Sequence, residues 1–515
     1  ASDARYGYNL TEGRGALPRV CVYNSNKPVA IIGFAFRLPG ADGAELWDLL
    51  RTGANLITEV PDDRWSKPYF LHPDKSEPGR SYTFAAGTLG DVSGFDAGFF
   101  GISPREALLM DPQQRLLLEM AWEAFESGGI KPSRLRGSNT GVFLGYSIAD
   151  YPYRWVDDLA VIDSTSMTGN TGSVAANRLS YWFDLCGPSM AVDTACSSSL
   201  VAFHQAWRSI QSGEVDQAMV GGIALHLHPF PFVGFSKASM LSPTGRCRVF
   251  DAAGDGYVRS EGGGIFLLKD YAQAEADGDR IFAVVAGSGV NCDGHTNGIT
   301  VPGKDTQAAL LREVYESAGV PFADVDYLEA HGTGTAVGDP IETAALAEVF
   351  GPGRSADNPL LIGSVKSNLG HLETASGVAG LVKALYCLAH REVPPNLHFT
   401  TPNPHIPFKD WNLRVVSEPT PLPADKPLVI GVNSFGFGGA NAHLVLCEAP
   451  QQAVKSRSSS VGSKKNGEDG PQDAPPPLLL SAKSRTALQA MAARYAAFVR
   501  DQPSVDLYDL AYSAI

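Results

Sequence analysis

Three things are scarce in this chain, and each scarcity removes a class of function. Positive charge is low: 41 Lys and Arg face 55 Asp and Glu, for a formal net charge of −14. Phosphate backbones bind to basic faces, so nucleic acid is not an expected partner. No apolar run reaches the length of a membrane-spanning helix. Ala1 to Asn26 is polar and has no apolar segment of the kind a secretory signal needs. Cysteine pairs are also missing. Cys21, Cys186, Cys196, Cys247, Cys292, Cys387 and Cys447 are scattered, odd in number, and never spaced C-x-x-C. That pattern fits reduced thiols in a cytoplasmic protein and gives neither a disulfide framework nor a cysteine-rich zinc site.

The 515 residues, 44% hydrophobic and 19% charged, suffice for a large buried core. Strand patterns at 29–33, 140–145, 189–192 and 216–222 alternate with helical patterns at 111–127, 173–182 and 197–212. A second round follows: strands at 281–289, 325–330 and 360–364, with helices at 306–317 and 340–349. Such alternation implies βαβ units, mostly parallel pairing and a duplicated α/β core. The expected divisions are a leader at 1–27, one half at 28–270, a second half at 271–450, a Ser/Lys/Gly/Pro-rich linker at 451–477, and the truncated start of a small α/β domain at 478–515. In that last piece Leu478–Ala482 reads as a strand and Thr486–Arg500 as an amphipathic helix.

One cysteine stands apart. Gly187-Pro188 signals a turn, Ser189–Val192 reads as a short strand, and apolar residues from Leu200 recur at helical spacing. Cys196 therefore falls on a strand-to-helix turn, where unpaired N–H groups and the helix dipole are expected to lower a thiol pKa. A buried structural cysteine is the commoner outcome for one thiol taken alone. Two later stretches weigh against it. His331, in Glu329–Thr335, and His371, in Lys366–His371, each follow a predicted strand in a short polar glycine loop. Ligands in parallel α/β sheets gather beyond the carboxyl ends of strands, so the topology could bring all three residues together. No carboxylate or second histidine stands at helical ligand spacing nearby, so no metal site is expected. Asn433–His443 is glycine-rich and suits either a hairpin or an oxyanion-binding loop.

Val192–Leu200, Glu329–Thr335 and Lys366–His371 resemble, in order and context, the three signature motifs of β-ketoacyl synthases. The likeness is strongest to the ketosynthase domains of multidomain polyketide synthases. Asp111–Glu119 and Asn433–His443 match the same family. Val29–Gly40 does too, with Phe34 and Phe36 where Met and Cys are common. The tail from Pro477 resembles the start of the linker between a ketosynthase and an acyltransferase.

The resemblance implies a thiolase-like fold and a homodimer that binds no cofactor of its own. Substrates would arrive on the phosphopantetheine of an acyl carrier protein, supplied by an acyltransferase that is fused or separate. Cys196 would take the acyl chain, and His331 and His371 would promote decarboxylation of a malonyl-type extender before Claisen condensation. The N–H groups of Cys196 and Phe437 would hold the oxyanion. Lys366, paired with Glu342, would order the histidine loops. Thr333 and Thr335, with Phe435 and Asn441, would contact substrate or pantetheine. Arg37, Arg246 and Arg248 are candidate docking cations. Two alternatives stay open: a non-elongating ketosynthase-like domain that binds or transfers acyl chains, and a thiol hydrolase using Cys196 and one histidine.

Overall fold

The computed structural model describes residues 27–449, 477–503 and 505–513. Apart from one terminal residue each, the expected leader (1–27) and linker (451–477) lie outside the described residues. The six cysteines among them are free thiols.

The first half contributes five strands to the main sheet: β1 (Val29–Arg37), β2 (Thr140–Gly145), β3 (Ser189–Val192), β4 (Gln217–Ala224) and β5 (Gly262–Asp270). The second half contributes β6 (Ala283–Cys292), β7 (Tyr327–Glu329), β8 (Leu360–Gly363), β9 (Leu413–Val415), β10 (Val429–Phe435) and β11 (Ala440–Glu448). All join one 11-stranded sheet, in the order β9-β8-β7-β10-β11-β6-β1-β5-β4-β2-β3.

That order exposes the duplication. In each half the first strand pairs with the fifth, the fifth with the fourth, the fourth with the second, and the second with the third. The pairings run antiparallel, antiparallel, parallel, parallel in both. β9 is an addition at the edge of the second copy. The seam between halves is short: Val29, Ala30 and Ile31 pair with Val285, Val284 and Ala283.

The sheet is mixed, contrary to the expected mostly parallel pairing. Connection length accounts for the tightest of the antiparallel pairs. Parallel neighbours need a crossover of a dozen or more residues, whereas only Gly436–Gly439 separate β10 from β11.

Helix α1 (Pro112–Ser127) starts where Asp111 accepts a hydrogen bond from Gln113 N at 2.8 Å, with proline in its first turn. It packs on β1 and β5, and α2 (Gly172–Phe183) packs on β2 and β3. Helices α3 (Ser198–Ser212) and α6 (Ser376–His390) are the counterparts that follow the third strand of each half. They touch each other and strands of both halves. Between them in sequence lie α4 (Lys304–Ala318) and α5 (Gly338–Phe350).

Beyond the sheet, Leu478–Ala482 forms no strand. The segment is mostly exposed and meets no neighbouring ladder among the described residues, and an apolar run without one gains nothing by becoming a strand. Helix α7 (Arg485–Asp501) does form, capped by the Ser484 hydroxyl.

Candidate active site

Cys196 sits where sequence placed it, beyond the end of β3. Ala195 adopts φ +56°, a left-handed conformation costing a non-glycine residue roughly 1–3 kcal/mol. Hydroxyl groups hold the turn in place: Ser197 Oγ donates to Thr194 O at 2.9 Å, Ser198 Oγ to Ala195 O at 2.6 Å, and Ser434 Oγ to Cys196 O at 2.8 Å. A three-residue 3₁₀ turn, Ala195–Ser197, then feeds α3.

The expected low thiol pKa is not found. Burial, aided by the Glu373 carboxylate, pushes Cys196 up to about 12, against downward pulls from Lys366 and the N–H groups of Phe437 and Cys196 itself. Desolvation of a fully enclosed sulfur outweighs the groups that favour its anion. Both N–H groups lie beside the sulfur.

His331 follows β7 and His371 follows β8. Their rings stand nearly perpendicular, with centroids 5.5 Å apart. The proton of each ring is fixed by the backbone. Phe435 N donates to His331 Nδ1 at 3.2 Å, and Glu373 N donates to His371 Nδ1 at 2.9 Å. A ring nitrogen that accepts an N–H is bare, so each neutral imidazole carries its hydrogen on Nε2. Burial, with Lys366 nearby, holds both histidines well below their ordinary pKa. Both are therefore neutral donors at physiological pH.

Lys366 and Glu342 act on His331 without pairing directly. Glu342 accepts from His331 N at 2.7 Å, Gly332 N at 2.8 Å and Asn433 Nδ2 at 2.9 Å. Lys366 Nζ donates to His331 O at 2.5 Å. The two thus grip opposite sides of the His331 backbone, because Glu342 is already filled by N–H donors. A buried triad supports the same loops: Lys383 Nζ lies 2.9 Å from Glu329 Oε2, Tyr327 donates to that oxygen at 2.6 Å, and Val365 N donates to Glu329 Oε1 at 2.5 Å.

Cys196, His331 and His371 line one cavity of about 460 Å³. Thr333, Thr335, Phe435 and Phe437 line it as well. Phe437 is 43% exposed and meets the Phe235 ring edge-on. Asn441 does not line it. Its amide is taken up by its cross-strand neighbour Asn291 and by Asp293 Oδ1, at 2.7 Å, and Asp293 is the residue that reaches the wall.

Of the docking arginines, Arg37 is committed to a two-pronged ion pair with Glu123 at 2.6 and 2.7 Å. Arg248 lies 3.6 Å from Asp255 on the cavity wall, and Arg246 is exposed. Sequence reasoning missed Asp339, Arg259 and Glu373. Asp339 accepts from Thr333 N, Gly334 N and Phe250 N, and burial raises its pKa to about 7. Its only sequence signal was an acid at the start of a helix. Arg259 forms a buried ion pair with Glu373 at 2.9 Å.

The Cys196 sulfur, a His371 nitrogen and a Glu373 oxygen lie within 4.8 Å of one another, a set of atoms with metal-ligand chemistry. Arg259 and Lys366 place two cations beside it, and the carboxylate is already paired, so the surroundings do not favour a metal ion.

Family models match in series: "Beta-ketoacyl synthase, N-terminal domain" over residues 26–274, "Beta-ketoacyl synthase, C-terminal domain" over 282–400 and "Ketoacyl-synthetase C-terminal extension" over 402–514. The chain belongs to the β-ketoacyl synthase family. It is 50% identical over 425 residues to a phenolphthiocerol/phthiocerol polyketide synthase of Mycobacterium tuberculosis, covering 82% of this chain and 23% of that protein. Identity to erythronolide synthase EryA2 of Saccharopolyspora erythraea is 42% over 494 residues, 95% of this chain and 13% of that one. The chain thus spans less than a quarter of these relatives. Among solved structures, the oxazolomycin ketosynthase domain OzmH KS7 of Streptomyces albus superposes with TM-score 0.86 at 38% identity, covering 95% of this chain and 83% of that one. The ketosynthase from module 6 of the bacillaene synthase of Bacillus subtilis 168 gives 0.81 at 38% identity, covering 95% and 80%. The fold is therefore the thiolase-like fold of ketosynthase domains.

Proposed function

We propose that this ketosynthase extends a polyketide chain by decarboxylative Claisen condensation on carrier-bound thioesters, with Cys196 as nucleophile. The observation that carries the residue roles is the proton placement: one sulfur and two Nε2–H donors share a single cavity. In the first half-reaction the Cys196 sulfur attacks an acyl thioester, and the N–H groups of Cys196 and Phe437 stabilise the oxyanion. The pantetheine thiol departs, leaving an acyl-cysteine. In the second, a malonyl-type thioester places its carbonyl oxygen between His331 and His371. Loss of CO2 puts negative charge on that oxygen, where two neutral donors stabilise it without a full proton transfer. The enolate carbon then attacks acyl-Cys196, giving a β-ketoacyl thioester and the free thiol.

Thr333 and Thr335, which line the cavity, would hydrogen-bond the pantetheine arm, and Phe435 lies beside His331 on the wall. The substrates would arrive on an acyl carrier protein, with Arg246 and Arg248 at the rim as its cationic contacts. The edge strand β3 presents Met190 at 39% exposure, and α2, packed on it, presents exposed Tyr181. We assign this face to a second copy of the chain, which would make a homodimer extending the sheet across β3.

The test supplies hexanoyl-pantetheine and then malonyl-carrier protein, and follows intact mass and product. The expected result is one acyl adduct on Cys196 and a β-keto product, with neither in Cys196→Ala. An adduct without product would favour the chain-passing alternative, and steady release of free acid would favour a hydrolase.

A further inference from the structure

The duplicated fold places a second left-handed turn opposite the first. Glu373 opens the 3₁₀ turn Glu373–Ala375 ahead of α6, just as Ala195 opens Ala195–Ser197 ahead of α3. Glu373 has φ +49°, beside +56° for Ala195. The two turns pack against each other, which brings the Glu373 carboxylate to the nucleophile.

A buried thiol needs somewhere to send its proton, and the other candidates are occupied. Both imidazoles carry hydrogen on the nitrogen not tied to the backbone. Glu342 is filled by three N–H donors, and Asp339 by three more. Lys366 is a donor only. Glu373 is different. Arg259 Nε binds its Oε1 at 2.9 Å, and no donor among the described residues occupies Oε2. Arg259 is itself held, fully buried, with its guanidinium 4.6 Å from the Phe232 ring centre. One oxygen of the carboxylate lies within 4.8 Å of the sulfur, inside the span of one bridging water.

We propose that Glu373 is a catalytic residue, the base that accepts the Cys196 proton during acyl loading. This rests on Cys196 being the acylated nucleophile. The S–H bond breaks and the proton moves to the free oxygen of Glu373, directly or through one water. The sulfur's electron pair forms the new S–C bond. When the tetrahedral adduct collapses, the C–S bond to pantetheine breaks and Glu373 returns the proton to the departing thiolate. No net charge or proton is gained, so the step needs no co-reactant. Arg259, Tyr257 and His371 lie around the carboxylate, and the left-handed turn aims it.

The experiment measures the rate of hexanoyl transfer from hexanoyl-pantetheine to Cys196 by intact mass, from pH 6 to 9. Malonyl-thioester decarboxylation is measured separately. In Glu373→Gln the backbone N–H to His371 survives but no proton can be accepted. Acylation is expected to fall at least 100-fold at pH 7 and to rise about tenfold per pH unit. Decarboxylation is expected to fall less than tenfold. Acylation within threefold of wild type, or equal loss of both steps, would overturn the assignment. The wild-type profile gives a second arm that needs no variant. A flat rate between pH 6 and 9 supports an internal base, whereas a tenfold rise per unit rejects it. Cys196→Ala separates the two failures, because an adduct that persists there overturns the nucleophile itself.

Discussion

Cys196 begins the reaction as a thiol. With burial pushing it up to about 12, the resting anion is scarce, and acyl loading must move a proton as it forms a bond. The histidines have the opposite problem solved in advance, because burial keeps them neutral and the backbone fixes which nitrogen bears hydrogen. His331→Ala and His371→Ala are therefore expected to lower condensation at least tenfold more than acyl loading, read by product formation against intact mass. Equal loss in both would assign the rings to loading. Decarboxylation by wild type is expected to show no midpoint near pH 6.5 between pH 6 and 8, since neither ring protonates there. A step at that pH would mean that one of them does. The nucleophile and both histidines were legible in sequence because each lies just past a short apolar strand, beside glycine or serine. Arg259 and Glu373 were not, because they stand 114 residues apart. The thiol pKa was misread for a related reason. Helix termini are local and visible in sequence, whereas desolvation depends on everything that packs around the sulfur.

At the level of elements, two contacts hold the reacting turns against the sheet. Gly145, at the end of β2, leaves no room for a side chain: a Cβ there would lie 2.5 Å from Ser199 N, in the first turn of α3. Gly145→Ala is expected to push α3 off the sheet, lowering Tm by several degrees and slowing acyl loading; an unchanged loading rate would show that the turn tolerates the shift. Lys383 reaches from α6 to Glu329, and both are essentially fully buried. Lys383→Met leaves that carboxylate unpaired and is expected to cost about 3–5 kcal/mol in a denaturation midpoint. Adding Glu329→Gln is expected to recover part of the loss through the coupling between the pair. Strict additivity of the two changes would show that they do not interact. The main strands and helices were readable from period and turn residues. Pairing direction was not, since it depends on which strands meet. Leu478–Ala482 failed as a strand for the same reason: an apolar pentapeptide specifies an extended chain but not a partner.

For the whole molecule, buried titratable groups set the response to acid. Burial lowers His204 to about 4, His443 to about 3, and His226, His331 and His371 well below 6.5. Depressed histidines stabilise the fold fully above pH 6.5. They lose that contribution as pH falls, because the unfolded chain then binds protons the folded chain refuses. Asp150 and Asp339, each raised to about 7, act in the other direction over the same range. His228 and His398 are lowered as well, and Asp111, Glu119, Glu126, Glu261, Asp326 and Glu342 are raised, so the two sets oppose one another in the net proton uptake on unfolding. Unfolding heats in buffers of different ionisation enthalpy count the net protons.

The repeated strand order carries a consequence for why a single polypeptide is used. Two identical copies related by a two-fold axis must bear the same side chain at matching positions, so both turns would carry an acid followed by a thiol, or neither would. Joining the copies end to end removes that constraint. One turn is then free to keep Ala195 and Cys196 while its mirror position takes Glu373, and the pair becomes a division of labour that no association of identical halves could achieve.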